Sequence, residues 1–358
     1  MIIQRYIAKE IMWSFFATML VLLLIIVGNT FVRLLAKVST GELPLDTLGK
    51  MVMLGSINGA LQLVPIALLI GMMLALGRLY QDHEMEAMNA SGASPSVFYR
   101  GIARFVLPLT IAMSGLVLFI VPWVEGINNE IRLEVKQRPE ASGIPIGEFL
   151  QLGSKSNPIT LFVENLEKEQ VQMQRFFMHS NASGQQHFII ADNAILYVDK
   201  FSGERLLQIN DGTRYSRNIK NQEFSVFRFA EHGIRIPPLD VSASFDLDAV
   251  STFDLLKINN NKSIAEFHWR IAVVLATPVM AFIAFPLSFS RPRQGRFGRL
   301  AIGIVTFAVY FNLLITAVSF IAKGRAPQWL GLWWVHLLFI AFGLLLLKRY
   351  YGSRKVKQ

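Results

Sequence analysis

Cysteine is absent from the 358 residues, so the chain has no disulfide framework and no thiolate metal site. Charge is scarce too: Asp, Glu, Lys and Arg make up 17% of the chain, and hydrophobic residues make up 53%. The scarcity is concentrated. Ile11–Val32, Met51–Gly77, Phe105–Val124, Ile271–Ser290, Leu300–Ala322 and Ala326–Leu347 contain none of the four charged types. Each reaches the ~20 residues that cross ~30 Å of hydrocarbon. His336 is the only histidine inside them. Proton- and ion-coupled carriers need acidic groups at membrane depth, and an intramembrane hydrolase needs a nucleophile with its base. Neither pattern is present. No G-x-x-x-x-G-K-[ST] and no H-E-x-x-H occurs, which excludes a P-loop and a zincin site. Glu266-Phe-His268 is too small a group for a metal site and reads as interfacial. Six uncharged spans suit a protein that handles something apolar, binds no cofactor of its own, is not itself an enzyme and draws its energy from elsewhere.

The net charge of +10 does not describe a nucleic-acid binder. Residues 125–270 hold 16 Lys and Arg against 19 Asp and Glu, so the remaining segments hold 19 against 6. The basicity belongs to the loops and ends that flank apolar helices. The first apolar stretch is too long for a signal-peptide core, and Arg33 rather than a small-residue cleavage site follows it, so it reads as a retained span. Six spans put both termini on one side. With the termini inside, the short inner segments carry 14 Lys and Arg and the short outer loops carry five (Arg33, Lys37, Lys50, Lys323 and Arg325). The bias places both termini in the cytoplasm and the central region outside.

That central region reads as strands. Ile159–Asn165, Arg175–His179, His187–Val198, Leu206–Asn210 and Glu223–Phe229 are short runs of apolar and aromatic residues. Ser-Gly, Asp211-Gly212 and Asn181-Ala-Ser-Gly184 supply turn signals between them. Six to eight such strands predict a sandwich or jelly roll. The fold class is therefore α+β: three spans, an inserted β domain, three more spans. The expected divisions are 1–124, with a cytoplasmic helix at about 82–92; 125–265, the β domain with helical linkers; and 266–358, with a basic tail. Ser263-Ile-Ala-Glu266 fits a capping box that starts the fourth long helix.

Several short segments carry candidate functions. Between spans two and three, Asp82 is placed to cap a short helix that Gly92 ends, and Ser94-Pro95 to open the next. A short helix on the cytoplasmic face has the shape of a coupling helix that docks into an ATPase, with Glu84, Met85 and Met88 offering one charge and two adaptable apolar contacts. An ordinary interfacial helix has the same pattern. Four arginines in Arg291–Arg299 suit either positive-inside anchoring or contact with a cytoplasmic partner. Gly55 and Gly59 form a G-x-x-x-G helix-packing pair, with Asn58 and Gln62 placed to bridge helices. Pro65, Pro278 and Pro286 predict kinks. Arg33 and Lys37, one turn apart at the outer end of the first span, either snorkel to headgroups or form a site for the phosphates of an anionic lipid.

The opening Met-Ile-Ile-Gln-Arg-Tyr-Ile-Ala-Lys-Glu resembles the start of the LptF/LptG family of lipopolysaccharide-export permeases. So do Leu79-Tyr80 followed by Glu84, Met88 and Gly92, and Pro286-Leu-Ser followed by Arg291-Pro-Arg-Gln-Gly-Arg296. The resemblance covers essentially the whole chain, and its first and last segments favour the LptF side of the family. It implies a heterodimer with an LptG-like permease, a dimer of the ATPase LptB that binds the ATP, and a periplasmic β-jellyroll. That domain receives lipopolysaccharide and passes it towards LptC and LptA. It also implies that Glu84 engages an arginine of the ATPase, and that Arg33 and Lys37 face lipid A phosphates.

Overall fold

The computed structural model describes residues 2–39, 43–137, 147, 149–152, 159–167, 172–182, 185–198, 205–218, 223–235, 247–258, 260–289 and 296–351. Six helices are long and apolar enough to cross a membrane: Ile2–Ser39, Leu45–Gln81, Pro95–Arg132, Asn261–Leu287, Gly298–Ala322 and Gln328–Tyr350. They are built from α1 (Ile2–Ser39), α2 (Leu45–Gln81), α4 (Pro95–Gly115), α5 (Val121–Gln137), α7 (Asn261–Leu287), α8 (Arg296–Ala322) and α9 (Trp333–Tyr351). The short α3 (Glu84–Ala90) lies between α2 and α4, and α6 (Thr252–Lys257) precedes α7. The third span is α4 and α5 joined through a π-helical turn, Leu116–Ile120. The expected α+β class, six spans and central strand-rich insertion are all present.

The first four of these helices exceed the uncharged stretches by a turn or more, because charged and polar residues continue the helix beyond the apolar run. One consequence is that Glu125, Glu266 and Arg270 lie on span helices. Ser263 does not cap α7. Asn260 does, accepting the Lys262 N–H at 2.8 Å, because the helix starts three residues earlier than the Ser-x-x-Glu pattern suggests. The Ser263 hydroxyl turns back to the Ile258 and Asn260 carbonyls, and Glu266 is taken by Arg270. Asp82 does not cap α3 either. His83 occupies that position with φ 60° and no side-chain cap. Gly92, at φ +90°, ends α3 as expected, and Pro95 opens α4. Pro65, Pro278 and Pro286 all sit within continuous helices.

The chain forms two compact units. One comprises residues 1–30, 53–128 and 247–358, and the other 31–52 and 129–246. The end of α1 and the start of α2 therefore group with the inserted domain. In the first unit, α7 is the central helix: Ala272, Val274, Ala276, Met280, Ile283 and Phe285 are all buried. Its small residues let neighbouring helices approach, and apolar packing supplies the contact where lipid offers no hydrophobic driving force.

In the second unit, six antiparallel strands pair in chain order. They are β1 (Phe149–Leu152), β2 (Ile159–Glu167), β3 (Gln172–Ala182), β4 (Gln185–Val198), β5 (Arg205–Asn218) and β6 (Phe224–Arg235). This order is a meander. The described strands make no Greek-key crossover, so the jelly-roll expectation narrows to one antiparallel sheet. Asp211-Gly212 is not a turn, because β5 runs through it. The turn residues Ser183 and Gly184 lie outside the described residues.

The sheet carries a crease. Pairing is interrupted at one level in each of the four central pairs, at Glu164 and Arg175, Arg175 and Asp192, Asp192 and Asp211, and Asp211 and Ala230, yet the register is the same on both sides. Arg175 and Asp211 have φ 51° and 53°. Side chains alternate with a period of two, so one extra residue moves the buried set to the other parity. That switch occurs here. In β3 Phe176 and Met178 are buried on one side of the crease and Met173 on the other; in β4 the corresponding residues are Ile189, Ala191 and Ala194. In β5 they are Gly212 and then Leu207 and Ile209. Because every strand adds its residue at the same level, the ladder is not offset. Apolar side chains from both halves thus join one cluster. The crease residues Glu164, Arg175, Asp192, Asp211 and Ala230 are all exposed, on the outside of the bend. Gly212 is required beside it: a Cβ there would meet the Phe229 ring at 2.5 Å.

Candidate functional site

Between α2 and α4, α3 is held from two sides. The Tyr6 hydroxyl of α1 donates to Glu84 Oε2 at 2.7 Å, and Met85 is fully buried in the bundle core. Met85 is therefore an anchor inside this chain and not a contact for a partner, because the first turn of α3 points it inward. Met88 is half-buried against the same core. Glu84 remains partly exposed, and Glu86 is the exposed acid of the helix, bonded to His83 at 2.9 Å. Arg78 and Glu10 form an ion pair that also ties α2 to α1. Of the arginine-rich loop, Arg291 and Arg293 lie outside the described residues, and Arg299 stands over the Phe289 ring at 5.9 Å. The basic tail after Tyr351 is likewise outside them.

At the other end of α1, Arg33 and Lys37 are both exposed and share a helix face. The helix continues unbroken to Ser39, so the i, i+4 spacing projects both cations the same way. Leu43 and the first turns of α2 pack against it: Leu43, Leu48 and Met51 cluster with Leu34, Val38 and Ile131.

Gly55 and Gly59 face α1. A Cβ on Gly59 would meet Ile26 Cδ1 at 2.5 Å, and one on Gly55 would meet Thr30 Cγ2 at 3.8 Å. They serve packing within the chain. Two tighter crossings are invisible to a G-x-x-x-G search because each uses a single glycine. A Cβ on Gly71 would stand 2.8 Å from the Phe15 Cα, and one on Gly101 would stand 3.1 Å from the Gln4 carbonyl. At Gly71 backbone meets backbone, and no side-chain rotation relieves the clash.

Asn58 bridges helices, from α2 to α5, and Gln62 supports it from the next turn of α2. Asn58 Nδ2 donates to Glu125 Oε1 at 3.1 Å, Gln62 Nε2 donates to Asn58 Oδ1 at 3.2 Å, and Asn128 Nδ2 reaches the second Glu125 oxygen at 3.2 Å. Beside this chain of amides is a small cavity of about 60 Å³, lined by Asn58, Gln62, Glu266, Trp269 and Arg270 among others. Arg270 is only 2% exposed. Its Nε donates to Glu266 at 2.8 Å, one terminal nitrogen to the Val250 carbonyl and the Thr252 hydroxyl, and the other to the Leu247 and Asp248 carbonyls. All five N–H donors are used, which is what a buried guanidinium needs to offset its lost hydration. The Thr252 hydroxyl in turn donates to the Leu118 carbonyl at 2.6 Å. Leu118 lies in the π-helical turn, whose irregular hydrogen bonding leaves carbonyls for outside donors. No residue pattern marked Arg270 as central, because three of its five bonds go to backbone carbonyls.

In the sheet, His187 Nδ1 lies 2.9 Å from the Ser216 hydroxyl. Burial, and then the nearby Arg214 cation, hold its pKa below the usual histidine value. Among the described residues no group of His, Asp and Glu is arranged to hold a metal. What the sheet offers is an apolar face: Leu161, Val163, Phe176, Met178, Leu207 and Ile209 with Phe229 and Ile234 beside them.

Comparison with known proteins agrees with this layout. Residues 5–349 match the family described as lipopolysaccharide export system permease LptF/LptG. Proteins named lipopolysaccharide export system permease protein LptF, from Escherichia coli K12 and from Shigella flexneri, are each 26% identical to the chain over 353 residues, covering 97% of this chain and 94% of theirs. Near-complete coverage, six spans and the inserted sheet lead to one conclusion: the chain belongs to the LptF/LptG family of lipopolysaccharide export system permeases.

Proposed function

We propose that the chain is an LptF-type permease subunit in the bacterial inner membrane. It pairs with an LptG-like permease and an LptB-like ATPase dimer, and it takes lipopolysaccharide from the outer leaflet into its periplasmic sheet, towards LptC and LptA. The creased sheet carries this reading, because its apolar cluster runs continuously across both halves. Bringing one 14-carbon acyl chain into water costs about 10 kcal/mol at ~0.8 kcal/mol per CH₂, and lipid A carries several. An export route therefore runs from bilayer to protein interior without bulk water. Uncharged spans followed by a folded sheet with an apolar inner face provide that succession of surroundings.

The same reading assigns Glu84 to ATPase coupling and Arg33 with Lys37 to the lipid phosphates. In this reading the bond from Tyr6 pre-positions the Glu84 carboxylate while leaving its other oxygen for an arginine of the ATPase. A lipoprotein-release type of permease typically has four spans, and the six span helices here weigh against it. Co-purification tests the assignment. The wild-type chain is expected to bring down an ATPase and a second permease, and Glu84→Arg to weaken ATPase recovery and abolish transport, with Glu84→Asp milder. A wild-type chain that recovers no ATPase would remove the transport reading. Full transport by Glu84→Arg would remove the coupling role alone.

A further inference from the structure

The chain returns from the sheet to the bundle through a 3₁₀ turn, Leu247–Ala249, and the six-residue α6. Three pairs of residues spaced i, i+3 divide its surface. Thr252 and Leu255 are buried against the bundle, Phe253 and Leu256 are 65% and 55% exposed, and Asp254 and Lys257 form an exposed ion pair at 2.6 Å. A helix advances 100° per residue, so the exposed apolar pair lies between the buried pair and the charged pair. Protein, oil and water are thus presented in turn around one short helix.

The apolar pair does not stand alone. The Phe253 ring lies 6.1 Å from that of Phe119. Phe119, Ile120 and Trp123 are 59%, 42% and 68% exposed on the third span. These three belong to a helix that meets the length and composition of a membrane span, and an exposed tryptophan near a span end marks the headgroup level. The apolar stripe of α6 is continuous with that surface. The helix is also fixed there. Thr252 is bonded to the Leu118 carbonyl and to Arg270, and Arg270 grips the Leu247, Asp248 and Val250 carbonyls around it. The Ser251 side chain caps the helix through the Asp254 N–H.

We infer that α6 is a membrane-surface foot: Phe253 and Leu256 sit in the lipid interface of the leaflet on the sheet's side, and Asp254 and Lys257 face water. An amphipathic segment lies in the interface plane for this reason. The foot sets the level at which the chain re-enters the bilayer as α7, and Arg270 is its positioning residue. The occupant of the exposed stripe is phospholipid, because the stripe prolongs a lipid-facing span surface. A second protein chain is the competing occupant, and the experiment separates the two.

The absence of cysteine makes single-cysteine probes direct. Leu256→Cys, Phe253→Cys and Lys257→Cys, each in the full-length chain purified with whatever subunits accompany it, are labelled with a polarity-sensitive fluorophore. The proteins are then placed in phosphatidylcholine/phosphatidylglycerol nanodiscs. Nitroxide carried on lipid near the headgroup is expected to quench the probes at 253 and 256, and aqueous iodide to leave them bright. Position 257 should show the reverse. All three side chains are exposed, so these substitutions leave the core intact. Iodide quenching at 253 and 256 equal to that at 257 would overturn the inference. So would insensitivity of 253 and 256 to both quenchers, which would show a protein covering the stripe. The measurement reads lipid contact alone, so its failure is separate from any failure of the lipopolysaccharide reading.

Discussion

From α7, Arg270 holds the 3₁₀ turn at Leu247–Ala249 and the adjoining start of α6, and through Thr252 it ties both to the π-helical turn of the distant third span. Arg270→Ala would leave Glu266 and three backbone carbonyls without these donors in a buried setting. Breaking a buried, hydrogen-bonded ion pair costs about 3–5 kcal/mol. The expected outcome is faster amide exchange in residues 247–257 of the full chain, with α9 unchanged; unaltered exchange there would contradict the anchoring role. At the opposite end of importance to folding, Arg33 and Lys37 are exposed. Each basic side chain near an anionic surface contributes roughly 1 kcal/mol, and a guanidinium holds phosphate in bidentate fashion. Replacing both with Ala is expected to lower lipopolysaccharide crosslinking and transport while assembly persists, with Arg33 the larger effect. Normal transport and crosslinking in that variant would make them headgroup anchors only.

Among the elements, the crease is the one the sequence hid. Strand runs were legible at Ile159–Asn165 and His187–Val198 because both are rich in apolar and aromatic residues. The alternation of buried residues breaks at Arg175, Asp192 and Asp211, and in β5 the break, Asp211-Gly212, has the composition of a turn. Only the pairing shows that strands continue through it, each with its extra residue at the same level. The helical spans were legible because length and apolarity suffice. Their caps were not: Asn260 and Ser263 both carry capping side chains, and Arg270, one turn on in α7, takes the Glu266 carboxylate that a Ser-x-x-Glu cap would use. Asp211 at φ 53° gives a direct test. Asp211→Val is expected to destabilise the sheet by about 1–2 kcal/mol, because a β-branched side chain is strained at positive φ, and Asp211→Gly to be neutral or stabilising. Limited proteolysis of the full chain reads both. His187 adds a pH dependence. Its folded pKa lies below the ordinary histidine value of 6.5, so the unfolded state takes up the proton first. The stabilisation is complete above that value and declines as pH falls through it towards the folded pKa. A histidine NMR titration of the full chain is expected to place His187 below 6.5; titration above it would contradict the burial argument.

For the whole molecule, the layout of three spans, an inserted sheet and three further spans was readable from charge-free stretches and from where the acidic residues lie. The division into units was less readable. Phe31–Val52 groups with the sheet, although the expected division at 1–124 keeps it with the first three spans, because the end of α1 and the start of α2 pack on Ile131 through Leu34, Val38 and Leu48. The central claim is that lipid travels along the apolar inner face of that sheet. Phe229, half-buried beside the cluster, is on that face, and Asp192 is on the outside of the crease. A photoreactive residue at each position, in the full complex reconstituted with its ATPase in lipopolysaccharide-containing liposomes, tests the claim most directly. The account predicts a lipopolysaccharide adduct at position 229 that requires ATP, and none at 192. Equal labelling at both positions, or no ATP-dependent adduct at 229, would contradict it.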